Sequence, residues 1–228
     1  MIISPLHVPP ARTRSVRAPS RGALSSLLLT LCLLLLAGAP IRGARAQMVE
    51  HVLDPDHLVV AFMVEHIGYA RVLGLFREAA GRFRYDERSG EIADVVVTVQ
   101  TNSIFTNHAE RDKHLLGKDF FNTSSHPQMV FRMASARPQA GANPPARYRL
   151  QGELELLGVR RPLTLEATVN KAGRYPFSTG LLTGKPYVLG VSARGRFKRS
   201  DFGMRYGVDN GLVGDEVEIM LEFEAVRQ

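Results

Sequence analysis

The sequence predicts an all-β protein, an antiparallel sandwich or barrel carrying one short helix, within a chain of 228 residues. Three observations carry that expectation. The last segment sets Val217, Ile219, Leu221, Phe223 and Ala225 on one face and Glu216, Glu218, Glu222 and Glu224 on the other. Residues 148–169 alternate in the same way on both sides of a turn, and helical periodicity is confined to one stretch near residue 110. A period of two sends successive side chains to opposite faces of a strand, so each of these strands has one wet and one dry face.

The first 46 residues stand apart from this pattern. Arg12, Arg14, Arg17 and Arg21 form a basic start, Leu24 to Ala39 is almost continuously apolar, and Ala44-Arg45-Ala46 supplies a small-x-small cleavage pattern. Together they predict a secretory signal peptide cut before Gln47, hence a periplasmic protein whose fold occupies residues 47–228. The alternative is an uncleaved anchor, but the apolar run is short of the ~20 residues of a membrane span. A lipoprotein would need a small residue before Cys32, where the chain has Leu31.

Removal of the leader changes the charge balance. The whole chain carries 29 Lys+Arg against 22 Asp+Glu, and residues 1–46 hold six arginines and no acid, leaving 23 basic groups against 22 acidic ones. A near-neutral mature chain lacks the electrostatic footprint of a nucleic-acid binder. The single cysteine also leaves with the leader, which removes disulfides, thiolate nucleophiles and cysteine metal ligands.

Taken in order, Leu58, Val60, Phe62, Val64 and His66 share one strand face. Val72, Gly74 and Phe76 continue the pattern, whereas Phe83 and Tyr85 have the opposite parity, the signature of a β-bulge. A strand opens at Val95, Val97 and Val99 and is expected to run to Ile104, and Met129, Phe131 and Met133 mark a short one. Asn107 and Glu110 have the spacing of a capping box, with Gly117 as the stop, which predicts a helix over 108–116 across one end of the sheet. Tyr148 to Leu156 and Leu163 to Val169 form a hairpin about Gly158-Val159-Arg160-Arg161. Loops are expected at 138–146 and 173–186.

Several ordered segments resemble the YceI-like family of bacterial periplasmic proteins. They are Asp54-Pro55-Asp56-His57 with the following Val60, Phe62, Val64, His66 and Gly68; Val72-x-Gly74-x-Phe76; and Ser103-Ile104-x-Thr106. Arg111-Asp112-x-His114-Leu115 follows and leads to Asp119-Phe120-Phe121 and His126-Pro127-x-x-x-Phe131. Gly152-x-Leu154, Leu157-Gly158-Val159 and Arg199-Ser200-Asp201-Phe202-Gly203 complete the set. The chain departs from the family in having Leu58 where a serine is usual, and in a longer loop at 173–186. The resemblance implies a single antiparallel, eight-stranded, lipocalin-like barrel with a small helix, binding an isoprenoid lipid or a quinone. A barrel of that size is wide enough inside for side chains or one slim ligand, and an apolar lining alone can hold it at roughly 25 cal/mol per Å².

The expected ligand contacts are Val60, Phe62, Val64 and Phe76 as lining, Phe120 and Phe121 as lining or lid, and His66, Arg111 and His114 as polar contacts for a head group. His66 is expected to point inward, either toward such a head group or as a packed ring with a backbone partner. Arg111-Asp112 can equally satisfy loop backbone, and Arg199-Ser200-Asp201 is expected to fix a turn. No histidine pair has the i, i+4 spacing of a zinc site, and no cofactor is expected beyond the bound lipid or quinone. Gly190-Val191-Ser192-Ala193-Arg194-Gly195 has one residue too many for a nucleophile elbow, so no catalysis is expected. The partners that follow are the lipid, a membrane cytochrome or other quinone-handling protein, and a second copy in a homodimer. The competing expectations are a filled-core stress-response or structural barrel acting through a protein partner, and an enzyme using His66 or His114 on a bound lipid.

Overall fold

The computed structural model describes residues 47–140, 146–178 and 184–228. The expected leader, and parts of both expected loops, lie outside the described residues. Ten strands make one antiparallel sheet: β1 (Val49–His66), β2 (Ala70–Phe76), β3 (Ala79–Tyr85), β4 (Ile92–Gln100) and β5 (Ile104–Phe105) in the first half. The helix α1 (Ala109–Leu116) precedes β6 (Gln128–Ala140), β7 (Ala146–Leu156), β8 (Val159–Arg174), β9 (Tyr187–Lys198) and β10 (Val213–Arg227). The pairing β1–β3–β4–β6–β7–β8–β9–β10 returns to β1, which closes an eight-stranded barrel. The other two, β2 and β5, extend the sheet beside the second half of β1.

The first strand explains the parity change. Leu53 pairs with Ala225 and Leu58 with Phe223, so five steps along β1 match only two along β10. Asp54-Pro55-Asp56-His57 therefore stands out of the ladder. His51 and Leu53 point inward before it, and Val60 and Phe62 after it, although odd and even positions have exchanged faces. Its partners divide at the corresponding place: β3 pairs with residues 49–52 and β2 with residues 60–66. Phe76 and Phe83 differ in parity because Arg77-Glu78 separates two strands, and the register of β3 with β4 also slips between Arg82 and Arg84.

Other boundaries move for local reasons. The strand from Ile92 stops at Gln100, and a one-turn 3-10 helix (Thr101–Ser103) redirects the chain before β5. Thr101 is buried there, and its hydroxyl donates to the His126 carbonyl at 2.7 Å. The short strand at Met129 is in fact thirteen residues long, reaching Ala140 through Pro138, which pairs with Tyr148. The β7–β8 turn is Leu157-Gly158, both at positive φ (54° and 75°), so Val159, Arg160 and Arg161 belong to β8. That is the two-residue geometry favoured by hairpin twist.

The helix begins one residue later than the capping box implies. Asn107 sits in the left-handed region (φ 60°), and His108 is the N-cap, its Nδ1 accepting the Arg111 N–H at 3.2 Å. An imidazole nitrogen thus does the work expected of an Asn oxygen. Gly117 ends the helix, its N–H donating to the His114 carbonyl at 3.0 Å.

Outside, the barrel carries cross-strand ion pairs, including Arg149–Glu166 (2.8 Å) and Arg71–Glu218 (2.7 Å), where Arg71 holds the Glu218 carboxyl below its usual range. A charged exterior with an apolar interior is the opposite of a lipid-spanning barrel, whose outer band is apolar. Two glycines seat large inward side chains. A Cβ on Gly74 would lie 2.1 Å from the Phe62 ring, and one on Gly152 would lie 2.3 Å from the Arg132 carbonyl and 2.7 Å from the Phe131 ring.

Candidate functional site

The barrel interior is filled at one end and hollow at the other. At the filled end His51, Tyr85, Ala146, Tyr148, Leu189 and Ala225 are all nearly inaccessible. The His51 ring stacks on Phe83 (5.5 Å between centroids), and its Nδ1 lies 3.0 Å from the Val49 carbonyl. Its Nε2 has no hydrogen-bond partner among the described residues. Burial pulls the His51 pKa below its ordinary value and, with a hydrogen bond to Tyr85, pushes the Tyr148 phenol far up, so both are neutral.

At the hollow end lies a cavity of about 500 Å³. Every strand of the closed barrel except β3 contributes to it: Val60, Phe62 and Val64 from β1; Val97 and Val99 from β4; Met129 and Phe131 from β6; Leu154 and Leu156 from β7; Leu163 and Leu165 from β8; Phe197 from β9; and Val217, Ile219 and Leu221 from β10. Phe62, Phe76 and Phe121 form a continuous aromatic wall, with centroid separations of 5.7 and 5.5 Å. The ionisable lining groups are Glu65, His66, Glu110, Arg111, His114, Arg199 and Tyr206. They come from the end of β1, from α1 and from the segment around β9–β10, which places all polarity at the mouth.

The residues singled out in the sequence divide accordingly. Val60, Phe62, Val64, Phe76, Phe120 and Phe121 all line the cavity. His66 does not point into the interior as expected: it is exposed on the rim. Between Val64 and His66 the register with β10 slips, two residues of β1 spanning four of β10, and His66 is the last residue of the ladder, paired with Val213 after the slip. His114 is also exposed, 3.0 Å from the Asp119 carboxylate, and meets the Phe120 and Tyr206 rings edge-on at 5.0 and 4.9 Å.

Arg111 reaches the rim, and two of its N–H donors are used on the loop before the helix. Its Nε donates to Thr106 Oγ1 and its Nη2 to the Thr106 carbonyl, both at 2.7 Å. Asp112 Oδ1 accepts both the N–H of Thr106, at 2.8 Å, and its hydroxyl. One buried threonine is thus gripped by successive residues of α1, which fixes the helix across the mouth and puts Leu115, Phe120 and Phe121 over the cavity.

Sequence reasoning assigned Arg199 a turn-fixing role and missed that it forms part of the cavity wall. The side chain is 2% exposed and donates to four carbonyls: Gly214 (2.7 Å), Val213 (2.8 Å), Met204 (3.0 Å) and Tyr206 (2.7 Å). It follows β9 as the first residue of a one-turn 3-10 helix (Arg199–Phe202). Burial lowers its pKa, opposed by the nearby Asp215 carboxylate. Its guanidinium also stands 5.9 Å from the Phe120 ring centroid. The legible signal was an arginine opening a segment with Gly203, Gly207 and Gly211 between two strands.

Among the described residues, one further cluster of ligand-bearing groups lies outside the barrel. His57 Nδ1 lies 2.8 Å from Asp54 Oδ2 and 3.8 Å from Glu224 Oε2, and the Tyr175 hydroxyl donates to Glu224 at 2.7 Å. The hydrogen bond between His57 and Asp54 raises the His57 pKa and lowers that of Asp54. Ser192, the centre of the near-miss elbow, lies in mid-strand with its hydroxyl donating to Glu222. β9 continues to Lys198, so the strand-to-helix turn of a nucleophile elbow does not follow it directly.

A closed antiparallel barrel with a charged exterior and an apolar cavity open at one end defines a lipocalin-like architecture. A model of the YceI-like domain matches residues 51–225, and the chain belongs to the YceI-like family. Protein YceI of Escherichia coli O157:H7 is 35% identical over 175 residues, covering 77% of this chain and 84% of that protein. Among solved structures, Burkholderia cenocepacia BcnA aligns with a TM-score of 0.63 at 20% identity, covering 75% of this chain and 98% of BcnA. A polyisoprenoid binding domain from Saccharophagus degradans aligns with a TM-score of 0.55 at 11% identity, covering 80% of this chain and 100% of that domain. At such identities these two likenesses are likenesses of fold.

Proposed function

We propose that this protein is an exported, periplasmic carrier of an isoprenoid-type lipid held in the barrel, a respiratory quinone being one such ligand, and that it performs no catalysis. The observation that carries this reading is the cavity: about 500 Å³, walled by aliphatic and aromatic side chains, with its polar groups gathered at one end. A chain of isoprene units is slender and apolar, and its burial yields roughly 25 cal/mol per Å² without any dedicated polar contact. The rim offers a head group the His66 and His114 rings and the Tyr206 hydroxyl. The polyisoprenoid-binding neighbour of the same fold supports the ligand class, and the leader expected from the sequence of residues 1–46 supports the compartment. A membrane cytochrome or another quinone-handling protein is the natural exchange partner for a quinone, and a homodimer is compatible with the fold.

The competing reading, a filled-core barrel acting through a protein partner, is disfavoured by the open cavity. Purification from the native host, organic extraction and mass spectrometry test the carrier reading. An isoprenoid or quinone in stoichiometric amount is the expected result. A chain with no extractable lipid, which also fails to bind isoprenoid or fatty probes at micromolar concentration, overturns it. N-terminal sequencing of the periplasmic protein is expected to begin at Gln47.

A further inference from the structure

Half of the eight large hydrophobic side chains exposed among the described residues surround the cavity mouth: Ile67 (46%), Tyr69 (92%), Tyr206 (44%) and Leu212 (39%). Tyr206 and Leu212 also line the cavity, so its apolar wall continues onto the surface between the polar groups of the mouth. Ile67 and Leu212 belong to one rim, their backbones joined by a 3.3 Å hydrogen bond from the Ile67 N–H to the Leu212 carbonyl.

The turn that presents two of these side chains is built at a conformational cost. Within the three-residue loop between the paired His66 and Ala70, His66 to Tyr69 is a β-turn with Ile67 at φ 52° and Gly68 at φ 71°, closed by the Tyr69 N–H on the His66 carbonyl at 3.1 Å. The first central position of such a turn favours Asn, Asp or Gly, and a β-branched residue is disfavoured there. An apolar side chain is thus held in solvent at a position where a polar one would fit the backbone better. The flanking charges balance: residues 65–71 and 205–213 contain Glu65 and Asp209 against Arg71 and Arg205. Both arginines are already paired, with Glu218 and Asp209.

We infer that this rim docks on a lipid bilayer, so that the cavity loads and unloads by contact with the membrane. The inference rests on the carrier reading above. An isoprenoid that leaves a bilayer through water re-exposes every methylene it had buried, whereas a mouth seated among acyl chains keeps the path apolar throughout. Tyrosines suit the headgroup level, where an apolar ring and a polar tip are both accommodated. With no net charge in the rim, docking is by shallow apolar insertion into neutral as well as anionic lipid, with little dependence on salt.

The test is stopped-flow transfer of a fluorescent farnesyl probe from the protein to neutral phosphatidylcholine vesicles, in the parent chain and in Ile67→Asn/Tyr69→Ser. Neither residue lines the cavity, and Asn suits the left-handed position, so the variant keeps its turn and its probe affinity. Expected are a parent rate that rises with vesicle concentration and is indifferent to added salt, and a rate lower by about tenfold or more in the variant. A rate independent of vesicle concentration means release through water and overturns the inference. So does a variant that transfers as fast as the parent, or a parent dimer that the substitutions dissolve, which would make the rim a self-association surface. The carrier reading fails separately: a parent that binds no probe yet floats with the vesicles retains the docking rim and loses the lipid cargo. A parent that neither binds probe nor floats loses both.

Discussion

Arg199 shows how one side chain can organise a barrel end. A guanidinium has five N–H donors and no acceptor, and here it satisfies carbonyls of the glycine-rich segment that leads into β10. Arg199→Met keeps the volume but leaves four carbonyls unpaired in a buried site. The expected loss is about 3–5 kcal/mol of unfolding free energy in urea titration. The face assignment of β10 has its own test. Leu221→Asp buries an unpaired carboxylate and should unfold the protein, since the cost of several kcal/mol rivals the whole stability of a small domain. The neighbouring Glu222→Lys faces water and should cost no more than about 1 kcal/mol. His51 supplies a pH dependence. Its pKa is lowered by burial, so on acidification the unfolded chain takes up the proton first. Stability should therefore be level above about pH 6.5 and fall below it, with a smaller fall in His51→Phe. His57, whose pKa is raised, acts in the opposite sense, losing its contribution as pH rises, so the measurement is cleanest in a His57→Asn background.

At the scale of elements, the helix and the mouth form one unit. Arg111→Ala removes both bonds to Thr106 while Asp112 keeps its own. The expected effect is a loss of about 1–3 kcal/mol in thermal or urea unfolding with little change in ligand affinity. Regular elements were legible in the sequence. Over Tyr148–Leu156, Leu163–Val169 and Val217–Ala225 the alternation is uninterrupted, because the register slips of these ladders put their extra residues in β6 and β1 or fall outside those spans. The start of β1 was not legible, because Asp54-Pro55-Asp56-His57 exchanges the parity of the strand and hides His51 and Leu53 from a pattern that begins at Leu58. The helix N-cap was displaced because the capping rule looks for side-chain oxygens, and His108 offers a nitrogen.

For the whole molecule, the sequence could show which side chains face the interior but not which half of the interior is empty. Tyr148 and Leu154 have the same inward pattern on β7, yet the first packs the closed end and the second lines the cavity. The difference lies in which side chains meet across the barrel, a property of all eight strands together. Phe121 lies where that difference matters, half-buried at the mouth against Phe76. Phe121→Ser should weaken binding of a fluorescent isoprenoid by about tenfold, as expected for the loss of a largely buried aromatic contact, while leaving the circular dichroism spectrum unchanged.

The seam of the barrel joins the first strand to the last. His51 pairs with Arg227, and the Gln228 N–H donates to the Glu50 carbonyl at 3.0 Å. No shorter piece of the chain can close the ring, because until residue 213 onward has emerged both β1 and β9 lack a neighbour along an edge. Contacts between the ends of a chain carry the largest loop-closure entropy and form last. A polypeptide of this topology is therefore held back from its native state for as long as it is being synthesised. That delay keeps it threadable, which suits the export proposed above: a chain that crosses a membrane must do so before its barrel closes.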